Sequence, residues 1–125
     1  MLALLLSLAL ADGPVVGVTA EPIGRGDDRV ATRVEAMIKM FTHEWMACWP
    51  EATRGEPLLF LRQTLYLRSR DGTVRKSKVT ASTGDPEHDA CGVALAARLV
   101  LDPPPVYNDR IDLRVSWANP DALKR

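Results

Sequence analysis

The side chains that could do chemistry are few: two cysteines, two histidines and a short acidic run. His88 precedes Cys91 by three residues, which on a helix brings an imidazole within reach of a thiol. A thiol at a helix start has a lowered pKa, so the pair could act as a nucleophile and its base. Cys91 has a competing use as the partner of Cys48. Two lone thiols without a CxxC cannot complete a four-ligand zinc site unless His or Asp joins them. His43-Glu44 opens like the zinc-protease signature, but Ala47 stands where the second histidine belongs, and the metal site fails there. Asp85, Glu87 and Asp89 could pose as paired carboxylates. Capping of a helix at Asp85, with negative charge in its first turn, accounts for all three. Gly24 and Gly26 lack the spacing of a phosphate-binding loop. Arg25-Gly26-Asp27 matches an integrin-binding tripeptide, a pattern cheap to meet by chance. The chain is therefore expected to carry no catalytic, metal or cofactor site, and not to be an enzyme.

The elements that would position these groups belong to one domain, since 125 residues leave room for no more. Hydrophobic residues at 46% and charged residues at 26% describe a globular chain rather than a disordered one. Met1 to Ala11 is apolar except for Ser7, too short to span a bilayer. It has the length of a signal-peptide core, and Ala9-Leu10-Ala11 fits the small-x-small cleavage pattern. No Lys or Arg precedes that core. Export to an oxidising compartment turns Cys48 and Cys91 into a predicted disulfide, one that could contribute roughly 3–4 kcal/mol by closing a long loop.

Lys+Arg and Asp+Glu each total 16, so no global charge points to nucleic acid or a membrane surface. The segment 62–78 is locally basic, with Arg62, Arg68, Arg70, Arg75, Lys76 and Lys78 against Asp71. With Phe60 and Tyr66 nearby it could stack and neutralise a nucleic acid. A solvated strand face is the simpler account, and export speaks against nucleic acid.

Residues 12–28, rich in Gly and Pro, suggest an extended arm with a short strand at Val15–Thr19. Val30, Val34, Met37, Ile38, Phe41, Trp45 and Cys48 recur at helical period. That predicts one helix, capped by Asp27 or Asp28 and stopped by Pro50 after Trp49. Leu59, Leu61, Leu65 and Leu67 share one parity, which predicts a half-buried strand. Asp71-Gly72 predicts a hairpin, and the parities of Val74 and Val79 predict a bulge or break near Lys76–Lys78. Asp85-Pro86 opens a second helix with an expected inner face of Cys91, Ala94, Leu95 and Leu99, leaving His88 on the surface. The triple proline at 103–105 ends it. Ile111, Leu113, Val115 and Trp117 then alternate as a last strand. The expected fold is α+β, a three-stranded antiparallel sheet with two helices on one face, in the order α-β-β-α-β.

Gly84-Asp85-Pro86, Cys91, Ala94-Leu95-Ala96-Ala97, the triple proline and Tyr107 resemble the second-helix region of the TolA C-terminal domain. With Trp45, Trp49, Asp71-Gly72-Thr73-Val74 and Ser82–Pro86, the wider pattern is similar to the TolA/TonB C-terminal domain superfamily over residues 29–117. The corresponding organisation is a signal peptide at 1–11, an arm at 12–28, the domain at 29–119 and a tail at 120–125. The resemblance implies a periplasmic domain that binds envelope proteins by β-augmentation of a sheet edge. The expected edge is the last strand, with Arg110, Asp112, Arg114, Val115, Ser116 and Trp117, and a homodimer could form through the same edge. No membrane span is expected in the mature chain. Energy-transducing members carry an anchor and a long spacer, and the 1–11 run is too short for the first.

Overall fold

The computed structural model describes residues 15–48 and 58–118. The elements are β1 (Val15–Pro22), α1 (Asp28–Lys39), α2 (Thr42–Ala47), β2 (Leu58–Leu67), β3 (Val74–Ala81), α3 (Pro86–Ala97) and β4 (Asp109–Ala118). The expected leader at 1–11 and the tail at 120–125 lie outside the described residues.

The class is α+β, but the sheet has four strands, in the order β1-β4-β2-β3, all antiparallel, rather than three. The fourth strand is the segment expected to be an arm. Val16, Val18 and Ala20 pair with Trp117, Val115 and Leu113, while Gly17, Thr19 and Glu21 take the other parity. A strand with one buried face follows from that alternation, and it runs past Thr19 to Pro22.

The single helix expected up to Trp49 is two helices. Asp27 caps α1, its carboxylate accepting from the Arg29 N–H at 2.8 Å, and Val30, Ala31, Val34 and Ile38 form the buried stripe. The helix stops at Met40. Thr42 then donates its hydroxyl to the Lys39 carbonyl at 2.6 Å, a local bond that competes with helix continuation. The chain turns at Phe41, and α2 buries Trp45.

Asp71 and Gly72 make the hairpin turn as expected. Asp71 accepts from both the N–H and the hydroxyl of Thr73, and Gly72 has φ +74°, a conformation open to glycine at little cost. The register of β2 with β3 shifts twice. Arg75 and Thr80 are the extra residues, flanking the Lys76–Lys78 segment where a bulge was expected.

Asp85 caps α3 by accepting from the N–H groups of Glu87 and His88. The buried positions of α3 are His88, Gly92 and Ala96, followed by Leu99. Cys91 and Leu95 are only partly buried and Ala94 is exposed, so the inner face is rotated from the expected one. Gly92 is the cause. A Cβ there would stand 2.4 Å from Leu61 Cδ2 and 3.2 Å from Trp45 Cζ3, so its absence lets the helix backbone come down onto the core. The helices share that core with Leu61, Leu65, Ile111, Leu113, Val115 and Trp117 of the sheet. Among the described residues, no helix is long and apolar enough to cross a membrane.

Candidate binding surface

β4 is not an edge. It pairs with β1 along one side and β2 along the other, so its backbone groups are already spent and it cannot accept an added strand. β1 occupies the place that a three-stranded sheet would have left open. The residues expected to act together are also divided by parity. Arg110, Asp112, Arg114 and Ser116 project from one face, while Val115 and Trp117 lie in the core on the other.

The edges of the described sheet are β1 and β3, and both are blunted in ways that discourage strand addition. On β1, the Ala20 N–H donates to Glu35 Oε1 at 3.2 Å, and Pro22 on the same side has no N–H. β3 carries Arg75, Lys76 and Lys78 and two register shifts.

The face of the sheet turned away from the helices is a different surface. Its rows are set by register: Phe60 beside Ser116, Arg62 beside Arg114, Thr64 beside Asp112, Tyr66 beside Arg110. Glu21 and Thr19 extend these rows onto β1, Lys76 and Lys78 onto β3. Asp112 is central. Arg62 grips it with Nε and Nη2, both at 2.9 Å, and Arg114 Nη2 reaches it at 3.2 Å. Burial alone would raise the Asp112 carboxyl, but the hydrogen bonds and charge of Arg62, joined by Arg114, hold it below the usual carboxylate range. The hydrogen bonds to Asp112 likewise raise the Arg62 guanidinium. At one end of this face Leu58 and Phe60 are 55% and 50% exposed. They border a shallow depression of about 390 Å³ that also meets Arg62 and Arg114. At the other end Lys76 Nζ lies 4.6 Å and the Arg75 guanidinium 5.8 Å from the centre of the Tyr66 ring.

Behind the sheet, Cys48 and Cys91 are bonded to each other, with Cα atoms 5.6 Å apart. The predicted disulfide joins the end of α2 to α3, and the bonded sulfur of Cys91 is not a free nucleophile. His88 is not on the surface. It is 1% exposed, its ring stands edge-on to Trp117 at 4.2 Å, and neither ring nitrogen has a hydrogen-bond partner among the described residues. Sequence pattern missed this because His88 also occupies the polar first turn of α3. The signal that could have found it was its spacing of four from Gly92. His43 is exposed, and among the described residues no three His, Cys, Asp or Glu side chains gather as a metal site. Asp27, third in the Arg25-Gly26-Asp27 tripeptide, is committed to capping α1.

Burial lowers the His88 pKa from its ordinary value of 6.5, against the opposing pull of Asp85 and Asp89. The folded state therefore prefers the neutral ring, and the stability this brings is complete above the unfolded pKa. It declines as pH falls below about 6.5, by up to about 1.4 kcal/mol per pH unit, until the folded pKa is passed. Asp89 and Asp112, whose pKa values are lowered, lose their contributions in a separate window below about pH 4. Urea midpoints should accordingly fall between about pH 7.5 and pH 5, and His88→Phe should flatten that slope. A wild-type midpoint constant over the same interval would contradict the burial of a neutral imidazole.

Compared with protein-family models, with curated proteins and with solved structures, the chain matches none of them.

Proposed function

We propose that this is a non-catalytic protein-binding domain of an oxidising extracytoplasmic compartment, and that it binds through the face of its sheet turned away from the described helices. The periplasmic setting rests on the TolA/TonB-like residue pattern and on the leader-like run at 1–11, and the Cys48–Cys91 bridge suits such a compartment. One observation carries the choice of surface: Leu58 and Phe60 lie exposed next to an ordered arginine–aspartate network. Exposed large apolar side chains grouped beside oriented polar ones are the signature of an interaction site. The edge-addition mode that the resemblance implies is not retained for β4, whose two sides are paired.

The test is expression with the native N-terminus in a Gram-negative host, with a photo-crosslinking residue at Phe60 or, as a control, at Thr32 on the exposed side of α1. The expected result is an oxidised protein in the periplasmic fraction, with envelope-protein adducts from position 60 and none from position 32. A reduced protein in the cytosol would overturn the compartment. Adducts absent at 60, or equal at both positions, would overturn the surface.

A further inference from the structure

We propose that the open sheet face is a docking surface for an acidic, extended segment of a partner protein bearing one apolar residue. That residue seats against Leu58 and Phe60 while its carboxylates meet the cations along the rest of the face. The inference rests on the protein-binding reading above and names the partner's chemistry. The chain as a whole has equal numbers of acidic and basic residues, yet on this face Arg62, Arg110, Arg114, Lys76 and Lys78 outnumber Glu21 and Asp112. Asp112 is consumed internally. Of the five donors on a guanidinium, Arg62 spends its Nε and one Nη2 hydrogen on Asp112, and Arg114 bonds it through Nη2 alone. Their side chains remain 44% and 47% exposed. Asp112 thus orients two guanidiniums whose remaining donors have no partner among the described residues and can meet a carboxylate, so that little ordering is left to occur on binding.

The spacing suits an extended chain. Alternate residues of a strand stand roughly 7 Å apart on one face, so Phe60 to Tyr66 spans about 20 Å, the reach of about six extended residues. An acidic peptide is favoured over the two other occupants by different facts. A second copy would bring an identical basic face against this one, and like charges repel. Single-stranded nucleic acid needs open aromatic rings for its bases, but Tyr66 is attended by Lys76 and Arg75, leaving Phe60 alone. The disulfide also suits a compartment away from nucleic acid.

The experiment is fluorescence anisotropy on the oxidised full chain with three probes: a short peptide of alternating Glu and Thr with one central Phe, the same peptide with Lys for Glu, and oligo-dT. The Glu peptide should bind and the Lys peptide should not. Raising salt from about 50 to about 500 mM should weaken binding about tenfold. Phe60→Ser and Arg114→Glu should each weaken it about fivefold, while Thr32→Glu should leave it unchanged. Should Arg114→Glu fail to fold, Lys78→Glu, at a residue outside the Arg62–Asp112–Arg114 network, serves in its place. Equal binding of the Lys peptide, tighter binding of oligo-dT, or a Phe60-dependent dimer on sedimentation would each overturn the proposal. Failure of the Glu peptide with Phe60 crosslinks to envelope proteins intact would refute the acidic chemistry alone. Loss of those crosslinks would instead remove the protein-binding reading beneath it.

Discussion

Replacing Cys48 and Cys91 together by serine is expected to lower the unfolding free energy by about 4 kcal/mol, the loop-entropy value for a closure of this length. The bridge spans 43 residues and encloses β2, β3 and the start of α3, so its loss releases that loop to the full freedom of the unfolded chain. The folded state depends on it for a second reason. α2 has six residues, far too few to hold helical structure without tertiary support, yet it carries Trp45 into the core. Cys48, at its C-terminal end, ties it to α3. Against a typical net stability of about 5–15 kcal/mol, such a loss is a large fraction. Urea unfolding of the wild-type chain with and without reductant is the measurement. With a slope near 1.5 kcal/mol/M, the midpoint should drop by about 2–3 M. Coincident midpoints would mean that the bridge does not form in solution or does not restrain the unfolded chain.

The features legible in the sequence are those written in local chemistry. Asp85-Pro86 fixes the start of α3 because capping and a preset φ act within one turn. Asp71-Gly72 fixes the hairpin for the same kind of reason, and the parity of Leu61 and Leu65 gives the buried face of β2. β1 was half legible. Val15–Thr19 has strand character, but the surrounding Gly and Pro resemble an arm, and Pro22 is tolerated only because β1 lies at an edge. Membership of the sheet is a non-local property, and no residue of 15–22 announces that its partner lies nearly a hundred residues later. That one omission displaced the candidate site, since adding β1 converts β4 from an edge into the centre of the sheet. The residues Arg110, Asp112, Arg114 and Ser116 keep a place in the proposal, but through their side chains on the open face rather than through their backbone. The rotation of α3 about Gly92 escaped periodicity because it is set by close packing against Trp45 and Leu61, which outweighs local pattern. The break at Phe41 escaped it because the bond from the Thr42 hydroxyl to the Lys39 carbonyl leaves the apolar spacing unchanged.

Trp117→Ala is expected to destabilise the domain by about 3–5 kcal/mol, the range for removing a fully buried large aromatic. Its ring is fully buried and touches both α2 and α3. The indole N–H donates to the Trp45 carbonyl at 2.7 Å, the two indoles lie 6.0 Å apart, and His88 packs edge-on against it. Truncation would leave a void between α2, α3 and β4 and open the unpaired imidazole to water. Trp117→Phe separates packing from hydrogen bonding. It keeps an aromatic ring and should cost about 1–2 kcal/mol, because the Trp45 carbonyl still accepts from the Cys48 N–H. The alanine variant should also lose much of the decline in stability below about pH 6.5, since a hydrated His88 no longer prefers the neutral form. Residual folded protein should still bind the acidic peptide, because Phe60 and Arg114 sit on the opposite side of the sheet from Trp117. Denaturant titrations at two pH values test both claims. A cost below about 1 kcal/mol, far under the range for a buried aromatic, would mean that the indole does not join α2 and α3 to the sheet.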